Sequence, residues 1–427
     1  MAKEILINIE PQEKRVAVVN EGHLEEFYIE RPQDKTIVGN IYKGRIEAVL
    51  PSIGAAFVEI GLPKNGFLYL SEIEYAFEAL EPHEAVPAKK NPLKIEKGQE
   101  VLVQAVKESF GNKGPRLSCH IGLAGRYLVL MPQDNQIGVS RRIEDDDERR
   151  RLRQVLSEIK LSKEAGFIVR TAAWGKSKQE LLRDANFLVK LWKRMEREIQ
   201  KGKTPSVIYE EYDLTLRAIR DSFTDDVARL IVDSKQEYFR IKNFMKTFMS
   251  YLVNKVELYK GDNLFEEKDV ERQIHKIFES RVYLKSKAYI IIEPTEGLVV
   301  IDVNSGGFSK KFNQEETAFK VNCEAAVEAG RQLRLRDLGG IIVIDFIDME
   351  KESHRKEVLN VLKKSLHNDR AKYDILGISK FGLVEMTRER IHQTVQTLSF
   401  QACPYCSGKG KVKSPVTMSI YALKELK

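Results

Sequence analysis

At 427 residues the chain is too long for one ordinary core, so roughly two to four sub-domains are expected. With 42% hydrophobic and 31% charged residues it has a soluble globular profile, and no apolar run approaches the roughly 20 residues that a membrane helix needs. Four cysteines exclude a disulfide framework and point to a reducing, cytoplasmic compartment, and a net charge of +7 favours a polyanionic partner.

The N-terminus, MAKEILINIEPQEKR, alternates apolar and polar residues like a strand, so no signal peptide is expected. Residues 1–34 read as two short strands around a turn at Asn20–Gly22. Residues 35–120 read as all-β, punctuated by Gly39, Gly44, Gly54, Gly61 and Gly66, with a helical period only at 71–80. The stretch EPHEAVPAKKNPLKIEKG (81–98) reads as a surface loop, followed over 99–121 by a strand pair around Gly111–Gly114. Short strands at this spacing suit a small OB-type barrel.

A charged helix is predicted from Arg141 to Lys160, and its mixed acids and arginines read as a solvated, salt-bridged face. A strand at Phe167–Arg170 and a long helix from about Lys178 to Lys201 follow. Residues 204–280 mix helices and strands without a clear boundary, and from 288 to 385 the pattern is α/β.

The most informative stretch is 298–349. Leu298–Val303 is rich in β-branched residues and reads as a strand buried on both faces, after a hairpin signal at EPTEG (293–297). It runs into Asp302-Val303-Asn304-Ser305-Gly306-Gly307, where alternation puts Asp302 and Asn304 on one side. An amphipathic helix from about Gln314 to Arg336 follows, ended by Gly339–Gly340, and then a second apolar strand, IIVIDFIDME (341–350), carries Asp345. Strand, helix and strand make a crossover with parallel strands, whose C-terminal ends share the edge where open α/β sheets bind ligands. Asp302, Asn304 and Asp345 therefore converge as a hard-oxygen site of the kind Mg²⁺ takes, filling its other positions with water and phosphate. Asp at a strand end also serves as a helix cap or turn former, a role open to Asp348, and the pattern alone does not separate a nuclease from a phosphatase.

In the β region, Phe57 shares a side with Glu59 and alternates with Ala56, Val58 and Ile60; Phe67 and Tyr69 alternate with Leu68 and Leu70. Beside Lys43, Arg45, Lys113 and Arg116, these aromatics would form a stacking platform with a basic rim for single-stranded nucleic acid, or else a second core under another sub-domain. Near the C-terminus, CPYCSGKGKV (403–412) carries Cys403 and Cys406 in turn chemistry common to zinc knuckles. A structural zinc needs four ligands, and neither Cys119 nor Cys323 has the spacing of a second knuckle, so two chains could each donate one CxxC. The rival is a redox pair, but no thioredoxin-like strand-to-helix context precedes it.

Together these residues carry a resemblance. NIYKGRIEAVLPSIGAAFVEIG, GFLYL, RYLVLMP, SRRIED, VRTAA, IDVNSG, EETAF, RQLRLRDLGGIIVIDFIDM and CPYCSGKG, in that order from near residue 36 to 410, resemble the catalytic region of the ribonuclease E/G family. The resemblance implies a multi-domain α/β architecture: an RNase H-like fold (1–35 and 215–280), interrupted by an OB-fold RNA-binding domain (36–120) and a 5′-end sensor (121–214). A DNase I-like catalytic sub-domain (281–399) and a zinc link (400–427) complete it. It implies Mg²⁺ ligands at Asp302 and Asp345 with Asn304 assisting, RNA contacts at Phe57, Phe67 and Lys113, and a 5′-monophosphate pocket at Arg170 and Thr171 with Gly125 and Val129. Without it, VRTAAWGKS reads simply as a strand end entering a helix cap. Lys372 stands where some members carry arginine, keeping the charge but not the bidentate fork. The implied activity is Mg²⁺-dependent endonucleolytic cleavage of single-stranded, A/U-rich RNA in rRNA processing and mRNA decay. Stimulation by a 5′-monophosphate, 5′-phosphate and 3′-hydroxyl products, and a homodimer joined through Zn²⁺ are further implications. The chain stops at Lys427, where members continue into a small tetramer-forming domain or a disordered scaffold, so either a shortened chain or loss of the higher assembly is expected. A non-catalytic RNA-binding factor built on the OB domain is the alternative, but it has no need of a carboxylate pair that repels phosphate. A phosphohydrolase of small substrates has no need of the OB domain.

Overall fold

The computed structural model describes residues 3–72, 96–109, 113–134, 136–158, 165–295, 297–306, 314–367, 369–379, 382–390, 400–401, 403–406, 410 and 412–425. Most of the expected helical segment at 71–80, most of the 81–98 loop and the turn at Gly111 lie outside these. The chain divides into a larger unit, residues 2–16 with 29–262, and a smaller one, residues 17–28 with 263–427.

The first strands are β1 (Lys3–Ile9), β2 (Lys14–Asn20) and β3 (His23–Glu30), one strand more than the sequence suggested. Glu21 and Gly22, with φ of 51° and 82°, make the tight turn between the last two, as expected from Asn20–Gly22.

In the larger unit, β4 (Ile41–Leu50), β5 (Ala55–Glu59), β6 (Gly66–Tyr69), β7 (Glu100–Lys107) and β8 (Arg116–Ser118) form a barrel in the order β4-β5-β6-β8-β7, closed by β7 pairing back onto β4. Alternation fills it with Ile46, Val58, Leu68, Val103 and Leu117. This is the OB-like barrel that the strand spacing predicted.

A second sheet comprises β9 (Leu123–Ala124), β10 (Leu128–Met131), β11 (Ile137–Val139) and β12 (Gly166–Val169), in the order β11-β12-β10-β9. Helices α1 (Asp146–Glu158) and α2 (Lys178–Lys201) bury Leu152, Leu156, Leu181, Ala185 and Leu188 against it. α1 starts later than the charge pattern suggests because the Asp145 carboxylate accepts from the Glu148 amide at 2.9 Å and fixes the first turn there. α2 matches expectation: Ser177 and Glu180 form a capping box at its start. The strand β13 (Ser206–Tyr209) adds to β4, and α3 (Leu214–Ser222) leads into β14 (Val227–Val232), α4 (Lys235–Phe248) and β15 (Val256–Leu258). β14 pairs in parallel with both β1 and β15.

In the smaller unit, α5 (Leu264–Glu267) and α6 (Val270–Ile277) precede a mixed sheet of β16 (Arg281–Tyr283), β17 (Tyr289–Pro294), β18 (Leu298–Asn304), β19 (Gly340–Asp345), β20 (Tyr373–Ile378) and β21 (Leu383–Arg388). Its order is β16-β17-β18-β19-β21-β20. The crossover helix α7 (Gln314–Leu335) and the helix α8 (Glu352–Leu366) pack Val321, Ala325, Leu333, Val358 and Leu362 against Ile290, Ile301, Val303, Ile342 and Ile344. Both helices lie against one face, so β18 is not buried on both sides as its apolar run suggested. Val299, Ile301 and Val303 are buried, whereas Leu298, Val300, Asp302 and Asn304 are half-buried, and Ile341 beside them is 54% exposed.

α7 stops within a residue of the expected Arg336, but not through Gly339–Gly340. Asp337, with φ of 46°, takes the left-handed position, and the Leu338 amide reaches back to the Leu333 carbonyl at 3.0 Å. Arg388 holds this unusual residue in place, donating to Asp337 at 2.9 Å and to Asp369 at 2.7 Å in a fully enclosed cluster. The helix α9 (Pro415–Glu425) buries no residue.

Candidate active site

β18 and β19 are parallel and in register, with Asp302 directly beside Asp345 at their C-terminal ends. The Asn304 Nδ2 donates to Asp302 Oδ2 at 2.7 Å, fixing that carboxylate from two residues along the same strand. Gly306, with φ of 57°, turns the chain sharply after Asn304; a Cβ there would come within 2.7 Å of the Lys287 carbonyl oxygen. The three residues predicted from sequence thus converge on the sheet face opposite α7 and α8. Asp345 is exposed, yet loss of surrounding water and then the negative charges of Asp302 and Asp348 raise its carboxyl above the ordinary value.

Asp348 is the residue that the sequence reading left as a possible helix cap. α8 is instead entered through Lys351 with no side-chain cap, and Asp348 stands close enough to add its charge to Asp345. The loop that carries it is clamped from α7 by two residues that no sequence motif had singled out for a role. Buried Asn322 donates to the Ile347 carbonyl at 2.7 Å and accepts from its amide at 3.0 Å. Glu315 accepts from the amides of Glu350 and Lys351 at 2.8 and 3.1 Å, and His354 Nδ1 adds a 2.8 Å contact. The backbone donors hold the Glu315 carboxyl below its ordinary value. Among the described residues no three His, Cys, Asp or Glu side chains form a ready metal site. Two carboxylates and an amide remain, a donor set that fits an ion keeping most of its positions for water and phosphate.

The expected 5′-phosphate residues lie in the larger unit, apart from Lys372, which is exposed just before β20 of the smaller one. Gly125 turns β9 into β10, and Val129 sits half-buried beside it on β10. The turn rests on buried Asp184, whose carboxylate accepts from the amides of Arg126, Tyr127 and Leu128 at 3.2, 2.8 and 2.9 Å. A Cβ on Gly125 would lie 2.6 Å from that carboxylate, so only glycine fits. Arg170, at the end of β12, donates to the Gly125 carbonyl and bridges Asp221 at 2.6 Å; exposed Thr171 follows at the next turn. Arg170 and Gly125 are therefore brought together, with Asp221 as a counter-charge that the sequence did not signal.

On the barrel, Phe57 and Phe67 are cross-strand partners, half-buried and outside the barrel core. Their ring centroids are 6.1 Å apart, edge to face, and Phe67 meets Tyr69 in the same way at 5.1 Å. The Arg116 guanidinium lies over Tyr69 at 4.9 Å, and Lys113 is exposed. The basic rim is narrower than expected: Lys43 donates to the Gly202 carbonyl and Arg45 to that of Thr204, both at 3.2 Å. Cys403 and Cys406 sit in a turn, with the Gly410 amide donating to Cys406 Sγ at 3.2 Å. Cys119 is buried, its thiol pushed up to about 12 by desolvation and then by Glu72, and Cys323 lies within α7.

The model of the family described as the Ribonuclease E/G family matches residues 122–391. Ribonuclease G of Haemophilus influenzae is 42% identical over 100% of this chain and 87% of its own length. Ribonuclease G of Escherichia coli is 41% identical over 100% of this chain and 88% of its own. Ribonuclease E of Escherichia coli is 41% identical over 99% of this chain but only 40% of its own length.

Proposed function

Because the chain belongs to the ribonuclease E/G family, we propose that it is an endoribonuclease whose cleavage centre is Asp302, Asn304 and Asp345. The observation that carries this assignment is the in-register pairing of Asp302 with Asp345, supported by the Asn304 hydrogen bond. Asp302 and Asp345 would hold Mg²⁺, which when bound supplies an activated water and neutralises phosphate charge. Asn304 keeps the Asp302 carboxylate turned, and the clamps from Asn322 and Glu315 keep the loop after Asp345 from drifting. Attack of water on phosphorus with loss of the O3′ bond gives a 5′-phosphate and, once O3′ takes a proton, a 3′-hydroxyl.

Phe57, Phe67 and Lys113 would hold unpaired bases and phosphate, which selects single strands, since bases within a duplex are already stacked. Arg170, Thr171 and the Gly125–Val129 turn would take a 5′-monophosphate. Cys403 and Cys406 would supply half of a zinc site completed by a second chain, with about half a zinc per chain on metal analysis. The RNase H-like and DNase I-like names fit the β1–β14–β15 region and the β16–β21 sheet as expectations of the family. No helix among the described residues is long and apolar enough to cross a membrane.

The experiment is incubation with a 5′-monophosphorylated, A/U-rich oligoribonucleotide, with Mg²⁺ or with chelator, and analysis of the product ends. Internal cleavage only with Mg²⁺, leaving 5′-phosphates, supports the assignment. Binding without cleavage would favour an RNA-binding factor.

A further inference from the structure

On the face of the smaller unit's sheet opposite α7 and α8, the row of side chains containing Asn304 continues across two more strands. Register sets Tyr289 of β17 opposite Asn304 and Tyr283 of β16 opposite Tyr289. In the adjacent row, Ile291 lies opposite Asp302, and Arg281 opposite Ile291. The intervening Val282, Ile290 and Val303 belong to the helix-packed core, so Arg281, Tyr283, Tyr289, Asp302 and Asn304 share the open face.

Tyr283 is 66% exposed on an edge strand, where it adds little to the core. Its ring is nonetheless held: it meets Tyr289 edge to face with centroids 6.0 Å apart, and the exposed Arg281 guanidinium lies 4.6 Å from the Tyr289 centroid. Two strand spacings, about 10 Å, separate the backbones of β16 and β18. That distance brings the ring within reach of a nucleotide adjoining a phosphate held at Asp302 and Asp345.

We propose that Tyr283, braced by Tyr289 and Arg281, is a stacking platform for an unpaired base next to the scissile phosphate, with Arg281 facing the RNA backbone. The proposal rests on the assignment of Asp302 and Asp345 as the cleavage centre. A single-stranded RNA base is the occupant that this surface fits: the aromatic face accepts any base, and the guanidinium complements phosphate. An apolar protein segment would have to bury Arg281 and lie against Asp302 while offering no opposite charge to either. The platform gives the cleavage centre its own grip on the strand, independent of the barrel aromatics.

The test compares the parent protein with Tyr283→Ala, Tyr283→Phe and Arg281→Ala on one single-stranded oligoribonucleotide. The same set is run on copies with an abasic nucleotide at each position flanking the cut. Tyr283→Ala is expected to raise KM about tenfold, and Tyr283→Phe to keep the parent value. One abasic position should cost the parent the same factor and cost Tyr283→Ala nothing further. Arg281→Ala should show a smaller rise that fades with added salt. Parent kinetics for Tyr283→Ala, or equal abasic penalties in parent and variant at every position, would overturn the platform. Asp345→Asn in the same assay separates the two ideas. If it is inactive while Tyr283→Ala is unaffected, only the platform falls; if it turns over normally, the cleavage centre falls and the platform with it.

Discussion

The Asn304 side chain donates to Asp302 Oδ2 at 2.7 Å, so the carboxylate proposed to hold the metal is oriented from two residues along its own strand. Removing an orienting partner of this kind typically costs about 10- to 100-fold in metal affinity or activity. Asn304→Ala should therefore slow cleavage by about that factor, and extra Mg²⁺ should recover part of the loss. A variant matching the parent across a Mg²⁺ titration would show that Asn304 does not position Asp302 for catalysis.

Arg170 bridges Asp221 and donates to the Gly125 carbonyl, a geometry that keeps its guanidinium at the β9–β10 turn. If this is the 5′-phosphate pocket, the protein should cleave a 5′-monophosphorylated oligonucleotide faster than its 5′-hydroxyl twin. Arg170→Ala should equalise the two rates by slowing only the first. Equal rates in the parent, unchanged by the substitution, would leave Arg170 as a structural ion pair.

Phe57 and Phe67 touch each other outside the barrel core, the placement that the proposed base contact requires. Replacing either with Ala should weaken RNA binding by about 1–3 kcal/mol with little change in Tm. Unchanged affinity together with a lowered Tm would identify both rings as packing residues.

Asp213 gives a pH-dependent contribution to stability in the larger unit. Burial alone would raise its pKa, but hydrogen bonds from Arg240 and Lys14 outweigh burial and bring it down from 3.8 to about 2. A depressed folded-state pKa stabilises above the unfolded value and loses that contribution as pH falls towards the folded one, here about 2 kcal/mol in all. Asp213→Asn keeps the capping geometry of α3 and removes the charge. Urea unfolding should show it about 2 kcal/mol less stable than the parent near neutral pH, the gap closing as pH drops from about 5 towards 2.5. A gap that does not change with pH would contradict this account.

How much the sequence revealed depended on distance along the chain. The helix cap before α2 and the turn at Asn20–Gly22 are written in adjacent residues, and both were legible, although the reciprocal bond of Glu180 was not singled out. The convergence of Asp302 and Asp345 was also legible, because a strand-helix-strand crossover dictates parallel register. By contrast, Asp184 satisfies three amides of a turn far upstream, and Asn322 clamps a loop on the far side of a strand; neither leaves a local pattern. The end of α7 was placed to within a residue, but its left-handed residue was missed because glycine is the usual choice, whereas here Arg388 stabilises Asp337 in that role. The burial of β18 was overestimated because apolar composition does not say on which side the helices will fall.

In the proposed cleavage centre Asp302 and Asp345 act as a pair. The most direct test measures single-turnover cleavage and equilibrium binding of the same single-stranded RNA by Asp345→Asn at saturating Mg²⁺. The expected cleavage rate is lower by about 10²- to 10³-fold or more, with RNA affinity close to the parent's. A near-parent rate would contradict it.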